Sequence, residues 1–202
     1  MRIVNARDVR SALMTGLTTG IIGWQVLAYL GKTLPLDIPL WVLVPIIPLA
    51  WVAGVQLGYA LGVMFRPFVQ FGRFAAIGFS NAAVDFGVLY ILIAFTGLAA
   101  GVAYSVFKAI SFSVATVHSY YWNKNWAFDA GTSHGGSREI ASFVAVSLVS
   151  LLVNVTVASV VVALHPSGFD AKTWAGIGAI VGAAAAIIFS FTGFRVFVFH
   201  RK

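Results

Sequence analysis

The chain has 202 residues, of which 60% are hydrophobic and only 9% charged, with a mean hydropathy of +0.93. That balance lies outside the range of ordinary soluble domains and marks a membrane protein. The formal charge of +7 is spread between apolar segments, where it answers to topology and anionic headgroups, so nucleic acid is not an expected partner. The absence of cysteine excludes disulfides, thiolate nucleophiles and soft-metal sites.

The amino terminus, MRIVNARDVR, resembles the charged region of a signal peptide, but the apolar run after it has no convincing small-x-small cleavage site before the next segment, so the segment is expected to be retained. At about 20 apolar residues per crossing, the chain divides into spans at Ser11–Leu30, Ile38–Phe65, Phe74–Phe95, Tyr104–Tyr121, Ile140–Leu164 and Trp174–Phe194. Thr15, Thr18, Thr19 and Gln25 dilute the first. Pro39, Pro45 and Pro48 fall in the front half of the second, where they either unwind it or mark a later helix start. Gly16/Gly20, Gly54/Gly58/Gly62 and Gly178/Gly182 have the spacing that lets helices approach closely.

Basic residues orient these spans. One face receives Arg2, Arg7, Arg10, Arg66, Arg73, Lys124, Arg138, Arg195, Arg201 and Lys202, the other only Lys32 and Lys172, and ten against two makes the first face cytoplasmic. Lys108 falls inside a span. If the first run does not cross, the amino terminus changes sides and the last four helices keep their placement.

The last four spans read as two copies of a two-helix unit. Phe74 aligns with Phe143 and Asp85 with Asn154 at an offset of 69, while Lys124, Trp126 and Phe128 align with Arg195, Phe197 and Phe199 at an offset of 71. Two helices return the chain to its starting side, so the copies are parallel repeats. The expected fold is therefore an all-α polytopic membrane protein of six transmembrane helices, the last four as two parallel two-helix repeats, with both termini cytoplasmic.

Several polar residues lie within or at the ends of the spans. Asp85 is about 16 Å of helix rise beyond Phe74, near the bilayer centre, with Asn81 one turn away on the same face. A carboxylate there must be paired or hydrated. Either the two join helices as a buried polar pair, or they belong to a polar track or proton-sensitive site. Lys108, about 6 Å of rise from Tyr104, either snorkels outward or reaches inward to Asp85. His118 bonds to neighbouring helices or reads a phosphate or sugar hydroxyl.

Arg73, Lys124 and Arg195 stand where helices meet the interface, singly as topology or headgroup residues. Together they could form a basic ring for a phosphodiester, with Asn123 and Asn125 donating hydrogen bonds and Trp126 stacking on a sugar face. The Gly131–Ser137 segment, GTSHGGS, has the composition of a linker. Dispersed histidines and the lack of nucleotide-binding signatures leave no expected metal, cofactor or catalytic residue, and the protein is not expected to be an enzyme.

The pattern RFAAIGFSNAAVDFGVLY (Arg73–Tyr90), with NKNWAF and later FRVFVF closing the second and fourth helices of the doubled region, resembles the GtrA-like family of small four-helix membrane proteins. The match carries onto Arg73, Phe74, Gly78, Asn81, Asp85, Phe86, Asn123, Lys124, Trp126 and Phe128 and covers about Phe71–Phe199. Phe194 stands where the family often has Asn. Residues 1–70 form an N-terminal extension with two helices outside the four-helix domain of residues 71–202.

The resemblance implies translocation of a polyprenyl-phosphate-linked monosaccharide across the cell inner (cytoplasmic) membrane for envelope glycan synthesis. The alternative is a non-transporting accessory subunit that recruits a polyprenyl-phosphate glycosyltransferase. Expected partners are the sugar lipid, a membrane glycosyltransferase and further copies of the chain.

Overall fold

The computed structural model describes residues 5–131, 135–166 and 170–199, except the side chains of Leu36 and Lys172. Arg2, Arg201, Lys202 and the middle of the GTSHGGS segment, residues 132–134, lie outside that set. The described residues form six α-helices in two units, Met1–Gly131 and Thr132–Lys202.

In the first unit, α1 (Ala6–Tyr29) is capped by Asn5, whose side-chain oxygen accepts from the backbone N–H of Asp8 at 2.8 Å. Its buried stripe of Asp8, Ala12, Thr15, Gly16 and Gly20 follows helical spacing. That stripe faces the front of α2 (Leu43–Leu61): Gly16 meets the backbone of Pro48, and a Cβ on Gly20 would stand 2.6 Å from the Leu43 carbonyl oxygen. Two 3-10 turns, Pro35–Asp37 and Leu40–Val42, precede α2. The helix thus begins later than hydropathy alone places it, because Pro35 and Pro39 hold their predecessors extended. Pro48 lies inside it and is buried.

Helix α3 (Pro67–Thr96) starts with proline at a first-turn position and ends at Gly97, whose φ of +72° closes the helix. It packs on α1, α2 and α4 (Gly101–Trp122). Gly58 of α2 and Gly72 of α3 bring their backbones together, and Gly62 meets Val69. Helix α4 runs directly into a π-helical turn, Asn123–Ala127.

The second unit pairs α5 (Gly136–Ala163) with α6 (Ala171–Gly193), again followed by a π turn, Phe194–Val198. Gly178 meets Val162 and Ala158, and Gly182 meets Asn154 and Ala158. All the paired glycines of the sequence thus mark helix contacts, Gly54 through its carbonyl oxygen, which a Cβ on Gly72 would meet at 3.4 Å.

The packing is that of paired repeats. Both π turns are closed by the same bond at an offset of 71, Phe128 N–H to the Asn123 carbonyl at 3.0 Å and Phe199 N–H to the Phe194 carbonyl at 2.8 Å. Phe74 and Phe128 meet at 6.2 Å and 62°, and their counterparts Phe143 and Phe199 at 6.1 Å and 54°. The protein is an all-α, multi-pass membrane protein. Among the described residues, five helical segments are long and apolar enough to cross a membrane: Ala6–Tyr29, Leu40–Leu61, Pro67–Thr96, Gly136–Ala163 and Thr173–Val198. The other, α4, has 22 residues but is diluted by Lys108, His118 and serines.

Candidate functional site

The α3–α4 interface carries a charged pair. Lys108 Nζ is bound to Asp85 Oδ2, and the Ser111 hydroxyl donates to Asp85 Oδ1 at 2.7 Å. Lys108 also stands 5.9 Å from the centre of the Phe86 ring. Asp85 is eleven residues from the end of α3 and Lys108 seven from the start of α4, about 16 and 10 Å of rise below the short connection between them. An extended lysine spans that difference. Pairing offsets the cost of two charges at this depth. Ser111 is fully buried, whereas the side chains of Asp85 and Lys108 remain 20% and 40% exposed.

About one turn from Asp85 toward the opposite end of α3, Asn81 Oδ1 and Ser80 Oγ are buried without a protein partner, as is His118 Nδ1 of α4. The helices are antiparallel, with Asp85 opposite Ser111 and Arg73 Nη1 donating to the Trp126 carbonyl at 3.3 Å. This register puts His118 at the level of Gly78–Asn81. Its ring is 6.4 Å from Trp122. Unpartnered polar atoms at one level leave hydrogen-bonding capacity for water or ligand hydroxyls.

At that far end the structure assembles a second polar cluster. Asp8, 1% exposed, accepts from Tyr59 OH at 2.6 Å and Arg73 Nη2 at 2.8 Å on Oδ2, and from Trp126 Nε1 at 2.8 Å on Oδ1. Arg73 Nη2 is also 2.9 Å from Tyr59 OH. Trp126, 2% exposed, is therefore enclosed, with its indole N–H committed to Asp8. Asn123 is equally buried and donates to the Ser119 carbonyl at 2.8 Å and the Ser119 hydroxyl at 3.1 Å. Lys124 Nζ is 3.3 Å from Tyr120 OH and lies over that ring. Asn125 donates to the Tyr121 carbonyl, and its own carbonyl accepts from Arg7, which also pairs with Asp129 at 2.8 Å.

Eight of the sequence-derived residues thus fall in the first unit, as an Asp85–Lys108 group, an Asn81–His118 level and an Arg73–Asn123–Lys124–Trp126 end. Arg195 belongs to the second unit, exposed on its π turn. Sequence reasoning missed Asp8, Tyr59 and Ser111. The available signal for Asp8 was that it is the only acid before Asp37, set between Arg7 and Arg10.

The two copies differ where the charges lie. At the repeat offsets, Asp85 becomes Asn154, Lys108 becomes Ala179, Ser111 becomes Gly182 and Arg73 becomes Ser142. Only the first copy carries the ion pair, and the second fills the same place by close helix contact.

Among known proteins, the family described as "GtrA/DPMS, transmembrane domain" matches residues 73–201. The "Uncharacterized membrane protein YngA" of Bacillus subtilis (strain 168) is 34% identical over 77 residues, 38% of this chain and 48% of that protein. The chain thus spans about half the length of that curated relative. No solved structure matches it.

Proposed function

The chain belongs to the GtrA/DPMS transmembrane-domain family, and from that premise we propose that it moves a polyprenyl-phosphate-linked monosaccharide across the cytoplasmic membrane. The observation that carries the reading is the Asp85–Lys108 pair, an ion pair inside a membrane-spanning unit and still partly exposed. A lipid phosphate exchanges with Asp85 as the anion facing Lys108, so its charge travels past a matched cation rather than through hydrocarbon. The isoprenoid tail stays in the bilayer. Asn81, Ser80 and His118, with buried polar atoms unpartnered, offer the sugar hydroxyls and their water a path along α3. The end with Arg73, Asn123, Lys124 and Trp126 is the cytoplasmic mouth, and Arg195 takes the equivalent position on the second unit. Helices α1 and α2 brace α3 within the first unit.

Reconstituted vesicles test this. Wild-type protein is expected to equilibrate a short-chain polyprenyl-phosphate sugar between leaflets, and Asp85→Asn/Lys108→Gln to abolish that while still inserting. Full transport by the neutral double variant would sink the groove. Absence of lipid movement by the pure wild-type protein, with retention of a membrane glycosyltransferase on purification, would support the accessory-subunit role instead.

A further inference from the structure

The Asp8 cluster has the construction of an anion site with its anion supplied from within. Its donors come from three elements: the phenol of Tyr59 on α2, the guanidinium of Arg73 on α3 and the indole N–H of Trp126 on the first π turn. All three aim at one carboxylate brought by α1. Arg73 makes no other ion pair among the described residues and is only 15% exposed.

The donors exceed what the carboxylate uses. Arg73 Nε is buried and has no partner, while Asp8 offers just two oxygens, one already shared by Tyr59 and Arg73. A phosphate presents three or four oxygens in a tetrahedron and would engage the remaining guanidinium donor. The division of the chain points the same way. Arg73 and Trp126 lie within the matched residues 73–201, and Asp8 lies outside them. The family-matched segment thus contributes two of the three donors, Arg73 and Trp126, and the extension contributes Tyr59 and the acid that all three meet.

We propose that Arg73, Tyr59 and Trp126 form an oxyanion cradle for a phosphate group, and that Asp8 is its built-in competitor, holding it closed until phosphate displaces it. The cradle does not rest on lipid movement: a protein that binds phosphate without carrying it would be built the same way. Its ligand class is a phosphate ester headgroup or free phosphate.

The test uses the full chain in detergent with Lys108→Gln as background, which removes binding at the Asp85–Lys108 pair. Thermal unfolding is read in sodium phosphate against sodium chloride at equal ionic strength, and binding is read with farnesyl phosphate against farnesol. Adding Asp8→Asn is expected to bring a phosphate-dependent rise in Tm of roughly 5 °C, much smaller at the same phosphate concentration with Asp8 intact and absent when Arg73→Gln is added. Farnesyl phosphate is expected to bind Asp8→Asn at least about tenfold more tightly than the Asp8 protein, because the competitor is gone. A response to both probes assigns the cradle to any phosphate, and a response to farnesyl phosphate alone assigns it to a headgroup. If Asp8→Asn yields monodisperse helical protein only when phosphate is present from extraction onward, the proposal holds. Helical Asp8→Asn protein that gains neither stability nor affinity, a gain that survives Arg73→Gln, or failure to fold in phosphate as well would overturn it.

Discussion

Asn154 and Gly182 meet in the second unit at the positions that Asp85 and Ser111 hold in the first. A Cβ on Gly182 would stand 2.6 Å from the Asn154 carbonyl oxygen, whereas the Ser111 hydroxyl reaches across to the Asp85 carboxylate at 2.7 Å. One copy of the repeat spends this site on close packing, the other on holding a charge.

The difference predicts opposite responses to small substitutions. Gly182→Ala forces a methyl against the Asn154 carbonyl and the Ala158 side chain and should cost about 1–3 kcal/mol. Gly78→Ala, where a Cβ meets nothing within 4 Å, should be neutral or stabilise by up to about 1 kcal/mol through helix propensity. Unfolding in mixed detergent micelles measures both. If Gly78→Ala keeps its stability and loses transport, the open space beside that glycine is used by the ligand.

The ion pair predicts a particular double-mutant cycle. Asp85→Asn or Lys108→Gln alone strands a charge and should destabilise by roughly 1–3 kcal/mol, less than a fully buried pair because Lys108 is 40% exposed. The double variant should recover most of that stability and none of the transport. Additive losses would mean that the two groups do not depend on one another.

The first π turn predicts a structural role for Trp126. Trp126→Phe keeps the enclosed ring but leaves Asp8 Oδ1 without its donor, and should cost about 1–3 kcal/mol. Tyr59→Phe removes one of two donors to Oδ2 and should cost less, about 0.5–1.5 kcal/mol. Equal stability of Trp126→Phe and wild type in the same unfolding assay would show that this bond contributes nothing.

Much of the helical framework was legible in the chain because crossing a bilayer demands long apolar runs, and because a backbone approach such as Gly16 on Pro48 demands small residues at fixed spacing. The repeat was legible from two offsets, and the rings of Phe74/Phe128 and Phe143/Phe199 repeat one contact. Asp85 was visible as a polar residue at membrane depth, and its reach to Lys108 was one of two open readings. The Asp8 cluster was not visible, since its partners are 51, 65 and 118 residues away. A helix-end arginine such as Arg73 reads as a topology signal until the helix beside it is placed. The π turns were hidden for a related reason: NKNWAF reads as an interfacial anchor, and only the backbone shows that it winds Trp126 inward.

The central claim, that a lipid phosphate exchanges with Asp85 at Lys108, is tested most directly by photolabelling. A polyprenyl phosphate carrying a diazirine beside the phosphate is irradiated with the protein in vesicles, and labelled peptides are mapped by mass. The account predicts label on α3 and α4 within about two turns of Asp85 and Lys108, lost in Lys108→Gln. Label confined to other helices, or label at this level undiminished by Lys108→Gln, would contradict it.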